Sequence, residues 1–118
     1  MIQNNIRKVL GKHKVIPVVS FDHVNDVEAT INLLISKGIN CIEITLRNEF
    51  AFDCIKAAKL LNKPDFHVGI GTVVSVAQIE RATALNVDFM VSPGINAGLA
   101  PAFEESGIAF IPGVATPS

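Results

Sequence analysis

Glu43, Thr45 and Arg47 alternate with Ile42, Ile44 and Leu46 in an otherwise apolar run. Successive strand residues point to opposite faces, so in an extended run the three polar side chains share one face. A carboxylate in the middle of an apolar strand loses hydration and needs a partner, a water or a chemical task. At roughly 3.3 Å per residue, Glu43 and Arg47 lie about 13 Å apart along an extended strand, too far for a direct ion pair. The spacing aims both charges at something between them. A guanidinium there is a fork for a carboxylate or a phosphate. Each residue also has a plainer reading: Glu43 as a structural carboxylate bonded to a neighbouring strand, Arg47 as a solvated loop cation.

These side chains need strands to hold them. Val15–Ser20, Cys41–Leu46, His67–Thr72, Asp88–Ser92 and Ala109–Val114 read as five short strands rich in Val, Ile and Phe. The gaps between them each leave room for one helix and two loops, which predicts βαβ units and a parallel sheet. Runs apolar on both faces fit strands covered on both sides. Ile2, Ile6, Val9 and Leu10 form one face of a predicted N-terminal helix. Asn25 with Glu28, and Ser75 with Gln78, read as capping boxes, and Gly38 as a helix end. Phe50–Leu61 is helical by pattern and stops near Lys63-Pro64. A last helix is predicted from about Leu99, because Pro101 fits only its first turn.

In parallel α/β folds, ligands bind at the carboxyl ends of the strands. Here those ends read Ser20-Phe21-Asp22, Thr45-Leu46-Arg47, Gly69-Ile70-Gly71-Thr72, Ser92-Pro93-Gly94 and Pro112-Gly113-Val114-Ala115-Thr116. Small, polar and backbone-permissive residues with one cation suit a small anionic ligand. Gly69 and Gly71 read as turn-permitting glycines, not as a dinucleotide fingerprint. His13, His23 and His67 lack the spacing of metal ligands, so no metal site and no cofactor is expected.

Composition narrows the classes. The 118 residues carry a net charge of −1, which leaves no nucleic-acid footprint. No apolar run is long enough to span a membrane, and no secretory leader is evident, so a cytoplasmic protein is expected. Cys41 and Cys54 are read as buried, reduced thiols. Hydrophobic residues make up 49% of the chain, and with 8 glycines the share reaches about 56%, above the usual 45–50%. One small domain rarely hides that much, so a large oligomer interface or further structure is expected.

Taken together, the segments resemble, in order and spacing, the family of 2-keto-3-deoxy-6-phosphogluconate (KDPG) and 4-hydroxy-2-oxoglutarate (KHG) aldolases. The matching stretches are Val15-Ile16-Pro17-Val18-Val19, Ile42-Glu43-Ile44-Thr45-Leu46-Arg47, Gly69-Ile70-Gly71-Thr72-Val73, Val91-Ser92-Pro93-Gly94 and Ile111-Pro112-Gly113-Val114-Ala115-Thr116. The resemblance implies an α/β fold of the parallel (β/α)8 TIM-barrel family, with residues 1–118 as a single domain holding about the first four and a half β/α units. It implies a trimer, a helix at the barrel bottom supplied by Ile2–Leu10, and a class I mechanism in which a lysine forms a Schiff base with a 2-keto acid. By match to the motif, Glu43 would be the general acid/base, Arg47 and Thr72 would hold the keto-acid carboxylate, and Pro93 would line the pocket.

One element of the family pattern is not matched. The family's Schiff-base lysine lies on the sixth strand, and none of Lys8, Lys12, Lys14, Lys37, Lys56, Lys59 and Lys63 falls at the carboxyl end of a predicted strand. The expectation is therefore the N-terminal portion of an aldehyde-lyase of roughly 210 residues, estimated by extending the repeat to eight units, and inactive by itself. Such a portion leaves two open sheet edges that favour pairing or aggregation. Two other readings remain: an open flavodoxin-like sheet without catalytic function, and another barrel enzyme acting on a phosphorylated sugar.

Overall fold

The structure, a computed structural model, describes residues 16–48, 50–92 and 98–112. Five strands, β1 (Val18–Val19), β2 (Cys41–Thr45), β3 (His67–Gly71), β4 (Phe89–Ser92) and β5 (Ala109–Pro112), alternate with four helices, α1 (Val27–Ser36), α2 (Ala51–Leu60), α3 (Val76–Ala84) and α4 (Ala100–Ser106). Every neighbouring pair is parallel, and the spatial order is β1-β2-β3-β4-β5. A flavodoxin-like sheet would run 2-1-3-4-5, with its first strand inside. The sequential order removes that reading. The expected N-terminal helix over Ile2–Leu10 lies outside the described residues.

Period-two alternation sorts the strand residues onto two faces. Ile42, Ile44, Val68, Ile70 and Met90 join one apolar core with Val27, Ile31, Ile55, Ala58, Ile79, Ala82 and Phe103 from the helices. Ile31, Ile42, Ile55 and Ile70 are fully buried. Burying such a side chain contributes about 1.5–3 kcal/mol, so this layer is the main force that sets the strands side by side. Arg81 of α3 lies over the Phe52 ring of α2, 4.1 Å from its centroid, and stacked Phe103 and Phe110, 4.8 Å apart, tie α4 to β5.

The helix ends follow local chemistry, with one correction. At α1 the expected Asn25–Glu28 capping box does not form. A 3-10 turn over Val24–Asp26 leads into the helix, and Asp26 caps it in a helical conformation with no side-chain bond. A capping side chain needs an extended residue at that position, and the preceding turn removes it. Thr30 Oγ1 instead donates to the Asp26 carbonyl at 2.8 Å. Ser75 does cap α3: it is extended, and the Gln78 N–H donates to its Oγ at 3.2 Å. Gln78 Oε1 reaches back to accept the Val74 N–H at 2.7 Å, one residue before the cap. Gly38, at φ +78°, closes α1: its N–H donates to the Ile35 carbonyl and the Ile39 N–H to the Leu34 carbonyl. That is the bond pair of a Schellman motif. The helix predicted over Phe50–Leu61 runs Ala51–Leu60, and α4 begins one residue after Leu99.

β1 is shorter than the apolar run Val15–Ser20 implied. Among the described residues only Val18 and Val19 pair, with Glu43 and Ile44. Pro17 lends its carbonyl to the Glu43 N–H at 2.9 Å, but it has no N–H of its own to extend the ladder. At the amino ends of the strands, Asp88 Oδ2 accepts the Val68 N–H at 2.7 Å and Lys59 Nζ at 3.4 Å. This half-buried carboxylate joins α2, β3 and β4. Asp88→Ala would strand the Val68 N–H, and a loss of about 1–2 kcal/mol is expected in urea unfolding; an unchanged midpoint would remove this role.

Candidate active site

The face of the sheet away from the helices carries the candidate chemistry. One register row crosses all five strands: Val18, Glu43, Gly69, Phe89 and Ala109. Phe89 and Ala109 are buried, Glu43 is half-buried and Val18 is exposed. In the next row toward the carboxyl ends, Thr45 pairs with Gly71. The inner face of β3 thus has no side chain at either of these positions, and neighbouring side chains use the space. The Phe89 ring lies across Gly69 where a Cβ would project. The Glu43 carboxylate lies across Gly71: an added Cβ there would run into Oε2, 2.9 Å from Cδ and 3.3 Å from Cγ.

The Glu43 carboxylate makes no hydrogen bond or ion pair with a described residue. Burial pushes its carboxyl above the usual carboxylate range. A carboxyl in that state holds a proton nearer neutral pH than a solvated one and can give or take it.

Thr72 follows directly after β3, exposed, with φ +64°. Asn62, Asp65 and Asn86 also have positive φ, but Asn and Asp tolerate that region, whereas a β-branched residue is an outlier in it. Two bonds hold the reversal: the Leu46 N–H donates to the Gly71 carbonyl at 3.0 Å, and the Val73 N–H to the Val91 carbonyl at 3.1 Å. Thr72 is the residue left between them.

Arg47 departs from its expected register. β2 ends at Thr45, and the Arg47 N–H turns back to the Thr45 carbonyl at 2.9 Å. Glu43 and Thr45 share a face as expected, but Arg47 lies past the ladder with its side chain exposed. It still stands at the carboxyl end of β2, one step along the edge from Thr72. Pro93 lies outside the described residues.

Asn48 is a site residue that strand-end chemistry alone does not single out. Its Nδ2 donates to the Phe21 carbonyl beyond β1 at 3.3 Å, and its Oδ1 accepts the Phe50 N–H at 3.0 Å. It fastens the loop that carries Arg47 to the neighbouring strand end. An Asn just before a helix is the signal that could have found it.

Other candidates fall away from this edge. Cys41 and Cys54 are both buried and reduced, and burial raises both thiols. No group of His, Cys, Asp or Glu among the described residues is arranged to hold a metal. A groove of about 390 Å³ between α3 and α4, lined by Val76, Ile79, Thr83 and Ala102 among others, opens on the helical layer and touches none of the residues above. No helix among the described residues is long and apolar enough to cross a membrane.

Comparison with known proteins gives the family. The family model for KDPG and KHG aldolases matches residues 6–118. The 2-dehydro-3-deoxy-phosphogluconate aldolase of Haemophilus influenzae is 33% identical over 108 residues, covering 92% of this chain and 50% of the relative. That of Treponema pallidum is 36% identical over 111 residues, covering 94% and 52%. Among solved structures, the KDPG aldolase of Zymomonas mobilis ZM4 with 3-phosphoglycerate superposes with a TM-score of 0.83 at 31% identity, covering 98% of this chain and 52% of that one. The KDPG aldolase of Legionella pneumophila, with pyruvate captured as a covalent carbinolamine, gives 0.83 at 32% identity, covering 92% and 52%. This chain therefore spans about half the length of the relatives it matches. Its five strands are part of the wall of the (β/α)8 barrel that these relatives share. The chain belongs to the KDPG and KHG aldolase family.

Proposed function

We propose that this chain supplies the proton-transfer and carboxylate-binding wall of a class I aldolase. The reaction is reversible cleavage of KDPG, of KHG or of both, to pyruvate and an aldehyde. The observation that carries the reading is the Glu43 carboxyl, half-buried and unpaired among the described residues, lying across Gly71 at the end of the inner face. Glu43 acts as general acid/base, passing protons as a lysine amine adds to the C2 carbonyl and water leaves. The resulting iminium accepts the electron pair of the breaking carbon–carbon bond. Arg47 and the Thr72 hydroxyl hold the keto-acid carboxylate, and Pro93 lines the pocket. The carbinolamine captured in the Legionella relative is the intermediate this scheme requires.

The nucleophile is assigned to no lysine of this chain. Lys37 and Lys56 are exposed on or beside helices, Lys63 lies in the loop after α2, and Lys59 is bonded to Asp88 at the opposite end of the strands. Lys8, Lys12 and Lys14 lie outside the described residues. A Schiff-base amine must sit partly desolvated in the pocket to be nucleophilic near neutral pH. We extend the reading to a cytoplasmic homotrimer by family resemblance.

Two arms of one experiment test this. Incubated with pyruvate and borohydride, the 118 residues alone are expected to give no adduct. Joined to the second half of the Zymomonas mobilis relative, they are expected to give one adduct and aldol cleavage. A stable adduct on any of the seven lysines here would overturn the lysine assignment. A folded chimera without cleavage would overturn the aldolase reading.

A further inference from the structure

The register row through Glu43 shows why its carboxylate lies where it does. Gly69 is the direct cross-strand partner of Glu43, yet its empty inner face is occupied from the other side by the Phe89 ring. Glu43 therefore cannot lie flat in its own row. The next inner position of β3 toward the carboxyl ends is Gly71, and the carboxylate occupies that space. Any other residue at 71 would put a Cβ into the carboxylate. The carboxylate would then have to leave that space, as the free end of a flexible side chain can.

We propose that Gly69 and Gly71 are positioning residues: Gly69 admits the ring that closes the row beneath Glu43, and Gly71 seats the Glu43 carboxylate at the strand end, one residue before Thr72. The arrangement rests on Glu43 being the proton shuttle only for its purpose, not for its geometry. Two glycines that look like turn permission in the sequence are, in the sheet, absences of side chain that direct two neighbours. Neither has a positive φ, so backbone freedom is not what requires glycine there. The requirement is space.

The test uses the 118-residue chain and no activity. The Glu43 carboxyl is followed by carbon NMR through a pH titration and assigned by its loss in Glu43→Gln. In Gly71→Ala the midpoint is expected to fall toward the ordinary glutamate range, because the displaced carboxylate regains water. An unchanged midpoint in a folded Gly71→Ala protein would overturn the proposal. A thermal double-mutant cycle keeps the question open to refutation where Gly71→Ala folds poorly. Beside Glu43, the effect of Gly71→Ala on Tm is expected to differ by a few °C between pH 4 and pH 8, because the carboxylate it displaces is the free end of a flexible side chain and regains water. In the Glu43→Ala background, where the obstructing side chain is gone, the effect should be the same at both pH values. An effect independent of pH in both backgrounds, or failure to fold in both, would overturn it. A positive cycle alongside an inactive chimera would sink the aldolase reading alone and leave the positioning intact.

Discussion

Glu43→Gln is expected to remove most aldol cleavage from a chimera completed by a relative's second half, and at the same time to stabilise the fold at neutral pH. The loss follows from the role: a positioned general acid/base contributes about 10²–10⁴-fold, and the amide keeps the shape without an exchangeable proton of the right affinity. The gain follows from linkage. Burial raises the Glu43 carboxyl in the folded chain above its value in the unfolded chain. The folded state thus binds the proton more tightly. The stability this contributes is fully present below the unfolded carboxylate range and is lost as pH rises through the raised folded value. Glutamine carries no such dependence. Urea midpoints of parent and variant should therefore separate near pH 8, with the variant higher, and converge near pH 4. A variant that is less stable at both pH values, or one that retains near-parental cleavage, would show Glu43 to be a structural carboxylate.

The parts of the fold legible in the sequence are those decided locally. Apolar alternation placed β2, β3 and β4 to within a residue or so, because each strand's period is set by its own two faces. Ser75–Gln78 was legible for the same reason, since a cap is built from four consecutive residues. What stayed hidden depends on neighbours. Gly69 and Gly71 read as turn residues because a sequence does not show which ring or carboxylate will lie across a bare backbone. The Asn25–Glu28 box failed because a 3-10 turn upstream changed the conformation of the capping residue. Counting alternate residues puts Arg47 on the Glu43 face, but counting holds only while the strand lasts, and β2 stops at Thr45. The end of β2 is set by bonds from elsewhere, with Leu46 reaching to Gly71 and Asn48 to Phe21.

Thr72→Gly should separate stability from function in the opposite direction to most core changes. A β-branched residue held at φ +64° stores local strain of about 1–2 kcal/mol. Glycine adopts that conformation without strain, although its freer unfolded chain takes back part of the benefit. A net gain of roughly 0.5–1 kcal/mol is expected, a rise in Tm of about 2–6 °C. The two bonds that bracket the position use the backbone of Leu46, Gly71, Val73 and Val91, so they survive the change. If the hydroxyl holds the keto-acid carboxylate, its removal forfeits a charge-assisted hydrogen bond of about 1.5–3 kcal/mol, which is roughly 10–150-fold in pyruvate affinity for the completed chimera. Thr72→Ser tests the same point from the other side: it keeps the hydroxyl, loses the β-branch and should bind nearly as the parent does. Strain that no ligand uses would give a different pattern, with Thr72→Gly more stable and binding unchanged. A Thr72→Gly protein that is less stable would mean that the strain is smaller than the entropy glycine adds to the unfolded chain. Retention of a strained threonine where glycine fits better is then explained by one atom, the hydroxyl oxygen at the strand end, one residue beyond the backbone on which Glu43 rests.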